Sequence, residues 1–164
     1  MAEQFEIRPM GKEDFDAFWP VFQAIVQAQE TYAFDPKLNR HQGYNLWVEQ
    51  PLKTFCLEIN GDIAASYYLK ANGMGPGSHV CNCGYMVNPA YRGRGLARLL
   101  CEHSQETGKT LGFQGMQFNS VVSSNEVAVA LWQKLGFSIV GTTPKGYHHK
   151  TLGLVDTHIM HKFL

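Results

Sequence analysis

The sequence predicts an α/β fold built on a central mixed sheet. One apolar strand segment passes through a glycine-rich turn into a helix between Gly84 and Cys101. Two apolar runs flank Asn60-Gly61, and alternation of strand type recurs between segments of helical period along the whole chain. No internal repeat or linker divides the 164 residues, and 45% hydrophobic content is enough for one sizeable core. A single domain over residues 1–164 is the expectation.

Taken in order, Phe5 to Pro9 alternates as a first strand. From Lys12 to Gln29 the apolar positions Phe15, Phe18, Trp19, Phe22, Ile25 and Val26 recur at three and four, which marks an amphipathic helix. An aromatic loop from Glu30 to Pro36 leaves it. A second, weaker helical pattern covers Asn39 to Glu49. Thr54–Ile59 and Ile63–Leu69 form a hairpin, since Asn-Gly favours a turn that twists with its strands. Asn72 to Ser78 is a glycine-rich loop. Strand 79–87 leads into the glycine turn, helix 96–109 follows, and Met116 to Val122 is a further strand. A helix from Asn125 to Leu135 stops at Gly136; 137–140 and 155–163 supply the last strands. The count is about seven strands and about four helices.

The turn itself suggests chemistry. A strand–loop–helix junction leaves main-chain N–H groups of the first helical turn unpaired, and the helix dipole adds positive potential there, so the site suits a phosphate group. Gly93 and Gly95 let the backbone approach a ligand closely, while Arg92, Arg94 and Arg98 add cationic donors that match phosphate oxygens. A Walker motif would end in Gly-Lys-Ser/Thr, and a dinucleotide fingerprint needs three spaced glycines; neither is present. The plainer reading of the same residues is a turn that merely joins strand to helix.

Composition narrows the partners. Fourteen acidic and fourteen basic residues are scattered rather than blocked, which argues against nucleic acid, an anionic membrane or a polybasic protein substrate. No run of about 18 apolar residues is found, and acidic Glu3 and Glu6 stand where a signal peptide would be basic, so a cytoplasmic location is expected. His79, Cys81 and Cys83 would share one face of a strand, yet no second ligand pair accompanies them. Buried, reduced cysteines and no metal are the expectation.

Arg92-x-x-Gly95-x-Ala97, preceded by Val87-x-Pro89-x-Tyr91, resembles the acetyl-CoA signature Gln/Arg-x-x-Gly-x-Gly/Ala of the GNAT family of N-acetyltransferases. Asn125-x-x-Ala128-x-x-Leu131-Trp132-x-Lys134-x-Gly136-Phe137 is similar to a second segment of that family, in the right order and at the right separation. The resemblance implies a mostly antiparallel mixed sheet and acetyl-CoA as co-substrate. It also implies main-chain donors near Met86 and Val87 for the thioester carbonyl and pantetheine arm, and a pyrophosphate seat formed by Arg92, Gly93, Arg94, Gly95, Leu96 and Ala97. It places Asn125 and Trp132 beside the cofactor as well. Asn125 also reads as a helix N-cap, and the two roles are compatible.

The two proton-transfer tasks depart from the commoner family pattern. Trp132 stands where many members carry an acidic tyrosine, and an indole N–H is no acid near neutral pH. Cys81-Asn82-Cys83 stands where others place a glutamate base. Substrate positioning then becomes the main contribution to catalysis. Phe118-Asn119 through Asn125 resembles a branch of the family that acts on azetidine-2-carboxylate and other proline analogues, and in that branch asparagines replace the carboxylate. Asn82, Asn119 and Asn125 match those positions and are the candidate catalytic residues. Asparagines satisfied within the sheet are the alternative.

Acceptor contacts are expected from Glu30, Tyr32 and Phe34, with Tyr147, His148 and His149 from a late loop. The function expected is acetyl transfer from acetyl-CoA to a small-molecule amine, such as an amino acid or proline analogue. The alternatives are acetylation of a protein or peptide, a catalytically degenerate acyl-CoA-binding module, or an unrelated phosphate-binding fold. Dimers are common among members of the family, so a homodimer is consistent with the resemblance.

Overall fold

The computed structural model describes residues 3–164. Seven strands form one sheet in the order β1-β2-β3-β4-β5-β7-β6. β1 (Phe5–Pro9), β2 (Lys53–Ile59), β3 (Asp62–Ala71) and β4 (Val80–Val87) pair antiparallel in sequence. β5 (Gly115–Val122) pairs parallel with β4, and β7 (Gly153–Phe163) runs antiparallel to both β5 and β6 (Ser138–His149). One junction is thus parallel and the rest antiparallel, as the resemblance implies.

Two apolar layers cover the sheet. On one face α1 (Lys12–Ala28) buries Phe15, Phe18, Phe22 and Val26 against Trp47, Cys56 and Met86. On the other, α3 (Leu96–Thr110) and α4 (Glu126–Lys134) pack Leu96, Leu100, Cys101 and Trp132 against Tyr67, Leu69, Cys81 and Cys83. All four cysteines are buried free thiols, so the Cys81-Asn82-Cys83 alternation serves packing on the α3 face. Arg8 ties the opening elements together, since its guanidinium bonds Asp14 of α1 and Glu58 of β2 at 2.8 and 2.6 Å.

Local chemistry explains most element ends. Gln29 adopts φ 51° and closes α1 in the left-handed region. Asn60 and Gly61 take φ 49° and 89°, the paired positive values that a two-residue hairpin of this twist requires. The second helical segment divides into α2 (Arg40–Tyr44), capped by Asn39, and a π-helical turn at Asn45–Glu49.

One sequence expectation needs correction. The strand expected at 137–140 continues to His149, so the residues taken as a late loop, Tyr147, His148 and His149, are strand residues paired with Val155, Leu154 and Gly153. Gly141, Pro144 and Gly146 interrupt its alternation, and the strand absorbs them in register shifts at 139/141 and 143/147.

Candidate active site

β4 and β5 share only two rungs, Val80↔Gly115 and Cys81↔Met116. Both strands continue beyond them to Val87 and Val122, but apart, and a cavity of about 380 Å³ opens between them. Asn82 follows the last rung directly. Its Nδ2 donates to Gln117 O at 2.9 Å and its Oδ1 accepts from the Tyr68 hydroxyl at 3.0 Å. A side chain thereby replaces the rung that the splay removes.

The main chain of β4 alternates between its two sides. Val80 O accepts from Asn72 N and Asn88 N donates to Ala64 O, so even-numbered residues turn their polar groups toward β3. Cys83, Tyr85 and Val87 therefore turn theirs toward the gap. Val87 and Met86 both line the cavity, but Val87 turns its main chain toward the gap, whereas the main chain of Met86 faces β3 and only its buried side chain reaches the cavity wall. Tyr85 O is already used: the Tyr32 hydroxyl donates to it at 2.7 Å. Burial pushes the Tyr32 phenol well above its ordinary range, so it remains a donor.

Beyond β4, Asn88 Oδ1 accepts from Ala90 N in a tight turn at Pro89–Tyr91, and the chain reaches Gly93 and Gly95 with φ 79° and 75°. A Cβ at either glycine would project into open space. Gly95 caps α3 without a side chain, which leaves the N–H groups of its first turn without an internal acceptor. Of the three arginines, only Arg92 lines the cavity. Arg94 is paired with Glu3 at 2.6 Å and lies over the Tyr91 ring, and Arg98 is paired with Glu102 at 2.9 Å.

The remaining expected residues divide. Asn119 and Asn125 line the cavity with Asn82. Asn119 donates to Asn72 Oδ1 at 2.7 Å, whereas Asn125 Oδ1 caps α4 by accepting from Ala128 N at 3.3 Å, so cap and cavity wall are one residue. Trp132 is buried between Tyr85 and Phe118, with ring centroids 5.1 Å from each. Tyr32 and Phe34 stack at 5.4 Å and form the wall on the α1 side, but Glu30 is exposed and lies outside the lining. Tyr147, His148 and His149 lie outside it too. Tyr147 acts indirectly, since its hydroxyl donates to Tyr32 O at 3.0 Å, while His149 Nδ1 accepts main-chain N–H groups of its own turn.

Three residues that the sequence did not single out complete the site. Tyr68 stands edge-on to Trp47 at 4.9 Å, and burial pushes its phenol up to about 12. Gly84 makes room for it: a Cβ there would lie 2.6 Å from the Tyr68 ring and 3.1 Å from the Tyr32 hydroxyl. Lys70, two residues beyond Tyr68 on the same face, also lines the cavity. A tyrosine–x–lysine alternation that runs one residue past the predicted strand Ile63–Leu69 was the available signal for two of them. Among the described residues, the lining contains no aspartate, glutamate or histidine.

A seven-stranded sheet splayed at its one parallel junction, with a glycine turn opening a helix at the mouth of the splay, defines the class. The chain belongs to the acetyltransferase (GNAT) family, which it matches over residues 15–137. A GNAT structure from Kribbella flavida superposes with a TM-score of 0.93 at 41% identity, covering 98% of each chain. N-acetyltransferase aca1 of Schizosaccharomyces pombe is 25% identical over 132 residues, which are 71% of this chain and 63% of that protein. This chain therefore spans under two thirds of that relative's length. Salmonella typhimurium yncA, solved with acetyl-CoA as its cofactor, shares the fold with a TM-score of 0.82 at 19% identity, over 98% of this chain and 94% of that one.

Proposed function

We propose that this protein moves an acetyl group from acetyl-CoA directly to the amine of a small molecule, of the kind represented by amino acids and proline analogues. The observation that carries this reading is one cavity that runs from Arg92, at the edge of the glycine turn whose residues 93–97 lie outside the lining, through the gap between β4 and β5, to the aromatic wall of Tyr32 and Phe34. Gly93 to Ala97 would hold the pyrophosphate with Arg92 beside it, and the gap-facing main chain at Cys83 and Val87 would pair with the pantetheine arm much as an added strand does. Asn125 and Trp132 would flank the arm. The solved complex of yncA with acetyl-CoA supports the choice of donor through the shared fold alone.

In this scheme the lone pair of a neutral amine attacks the thioester carbonyl carbon, and main-chain N–H groups in the gap stabilise the developing oxyanion. The C–S bond then breaks, the sulfur leaves as thiolate and takes a proton from water, and the nitrogen loses its proton to water. Such a reaction needs no metal in principle. Asn82, Asn119 and Asn125 position rather than exchange protons, because a carboxamide is neither acid nor base near neutral pH.

Calorimetric titration with acetyl-CoA of the native protein and of Gly95→Asp tests the reading. The substitution strains a backbone at φ 75° and sets a negative charge against the phosphate seat. Micromolar binding by the native protein, abolished in Gly95→Asp, is the expected result; an unchanged affinity overturns it. Acetylation of peptides but not of free amines would select the protein substrate instead, and tight binding without turnover on any amine would select the degenerate module.

A further inference from the structure

We propose that Lys70 determines acceptor specificity by pairing with a carboxylate carried by the amine substrate. The proposal rests on the acetyltransferase reading above and adds the chemical class of acceptor. Among the described residues, Lys70 and Arg92 are the only formally charged ones in the cavity lining, and both are cations. The chain as a whole is balanced, with fourteen residues of each sign, so the cavity is a local excess of positive charge.

The two cations serve different ends of the cavity. Arg92 directly precedes the glycine turn, where the phosphate reading accounts for it. Lys70 lies in register with Asn82 across β3 and β4, and its Nζ stands 5.3 Å from the centroid of the Tyr68 ring. Tyr68 packs on Trp47 beneath α1, whereas the neighbouring Tyr67 turns to the other face and bonds His103 of α3. Lys70 therefore faces the half of the cavity walled by Tyr32 and Phe34, away from the α3 side.

Arg8, Arg40, Arg94, Arg98 and Lys109 all pair with carboxylates, and Lys70 is in none of these salt bridges among the described residues. Lys70 is exposed at the edge of the cavity, so its attraction for a counter-ion is partly screened by water and salt. The same charge repels an acceptor that carries a second cation, which disfavours polyamines and lysine-rich peptides.

A chemical consequence follows for the missing base. A carboxylate beside an ammonium stabilises the protonated form, and so keeps the amine unreactive. Pairing that carboxylate with Lys70 removes the stabilisation, and the amine loses its proton to water more readily. The cation thereby supports deprotonation without accepting the proton.

The experiment compares amino acids with their own carboxamides, proline and prolinamide included, as acceptors for the native protein, Lys70→Met and Lys70→Arg. Acetyl-CoA affinity and the melting temperature are measured in parallel for each. The native protein should favour the acid over the amide in kcat/KM. Lys70→Met should lower the acid-to-amide ratio by about two- to fivefold, chiefly through KM for the acid, as expected for loss of one solvent-screened charge pair. Lys70→Arg should restore most of the ratio. Higher salt should raise KM for the acid in the native protein more than in Lys70→Met. A native preference for the amide, or a ratio unchanged in Lys70→Met, overturns the assignment of Lys70 while acetyl transfer stands. Failure of the native protein to bind acetyl-CoA, or to acetylate any amine, overturns both readings.

Discussion

Asn82 holds the main-chain oxygen of Gln117 at 2.9 Å, one residue past the last parallel rung at Cys81↔Met116. The carboxamide spans a gap that the two backbones no longer bridge, so it sets where the splay begins. Asn82→Ala should lower stability by about 1–2 kcal/mol, since Gln117 O and the Tyr68 hydroxyl both lose a partner in a partly buried setting. Transfer should slow with no change in the shape of the pH–rate profile, because no titrating group is removed. A urea titration and the pH dependence of kcat check both statements. A profile that loses a limb in Asn82→Ala would instead make Asn82 part of a proton path.

The residues that define the gap show what a sequence conveys. Strand, turn and helix N-terminus from Gly84 to Cys101 were legible because each obeys local rules: period two, positive φ at glycine, period near four. Asn82 and Asn119 were legible as polar groups in apolar strands that had to find partners, and Asn125 as a helix N-cap. Their partners were not, because the Asn82–Gln117 bond joins residues 35 positions apart and depends on where two parallel strands part. The continuation of β6 to His149 was hidden by Gly141, Pro144 and Gly146, which read as a loop until β7 is seen to hold them in register. Glu30 was legible as a polar residue next to an aromatic loop, but the left-handed turn at Gln29 decides which side chains face inward, and it leaves Glu30 exposed.

Tyr32 connects three elements: its hydroxyl donates to Tyr85 O, and its main-chain oxygen accepts from Tyr147. Tyr32→Phe removes the first bond and keeps the second. The loss should be about 1–2 kcal/mol in stability, the range for one hydrogen bond whose acceptor stays partly buried. Because burial raises the Tyr32 phenol well above 10, the bond persists through alkaline pH, and the ratio of native to variant kcat should stay constant from about pH 6 to 9. Stopped assays across that range measure it; a ratio that converges at high pH would show ionisation of Tyr32 within the range.

Gly84 has no side chain because Tyr68 and Tyr32 occupy its space. In Gly84→Ala the new methyl would sit 2.6 Å from the Tyr68 ring, which is itself bonded to Asn82. Overpacking of this kind costs about 1–3 kcal/mol, and the ring can yield only by releasing the Asn82 contact. Transfer should fall more steeply than acetyl-CoA affinity, since the phosphate seat at Gly93 to Ala97 lies elsewhere. Calorimetry against acetyl-CoA beside a rate assay separates the two. Equal losses in both would mean that the clash propagates along β4 to the glycine turn.

His103 supplies a pH dependence that belongs to the fold rather than to the site. Its Nδ1 lies 2.8 Å from the Tyr67 hydroxyl, and Phe55 and Tyr67 pack edge-on against its ring on the α3 face. Burial raises the Tyr67 phenol, which makes it the donor and His103 Nδ1 the acceptor. Desolvation lowers the imidazole below its ordinary value near 6.5. The unfolded chain then binds a proton before the folded one does, so stability falls as pH drops below about 6.5 and levels off once the folded value is passed. Protonation would also turn the Nδ1 acceptor into a donor facing a donor. His103→Gln should flatten the change in urea midpoint between about pH 7.5 and 5.5 and leave acetyl-CoA affinity alone. A slope that survives the substitution would assign the pH dependence to another group.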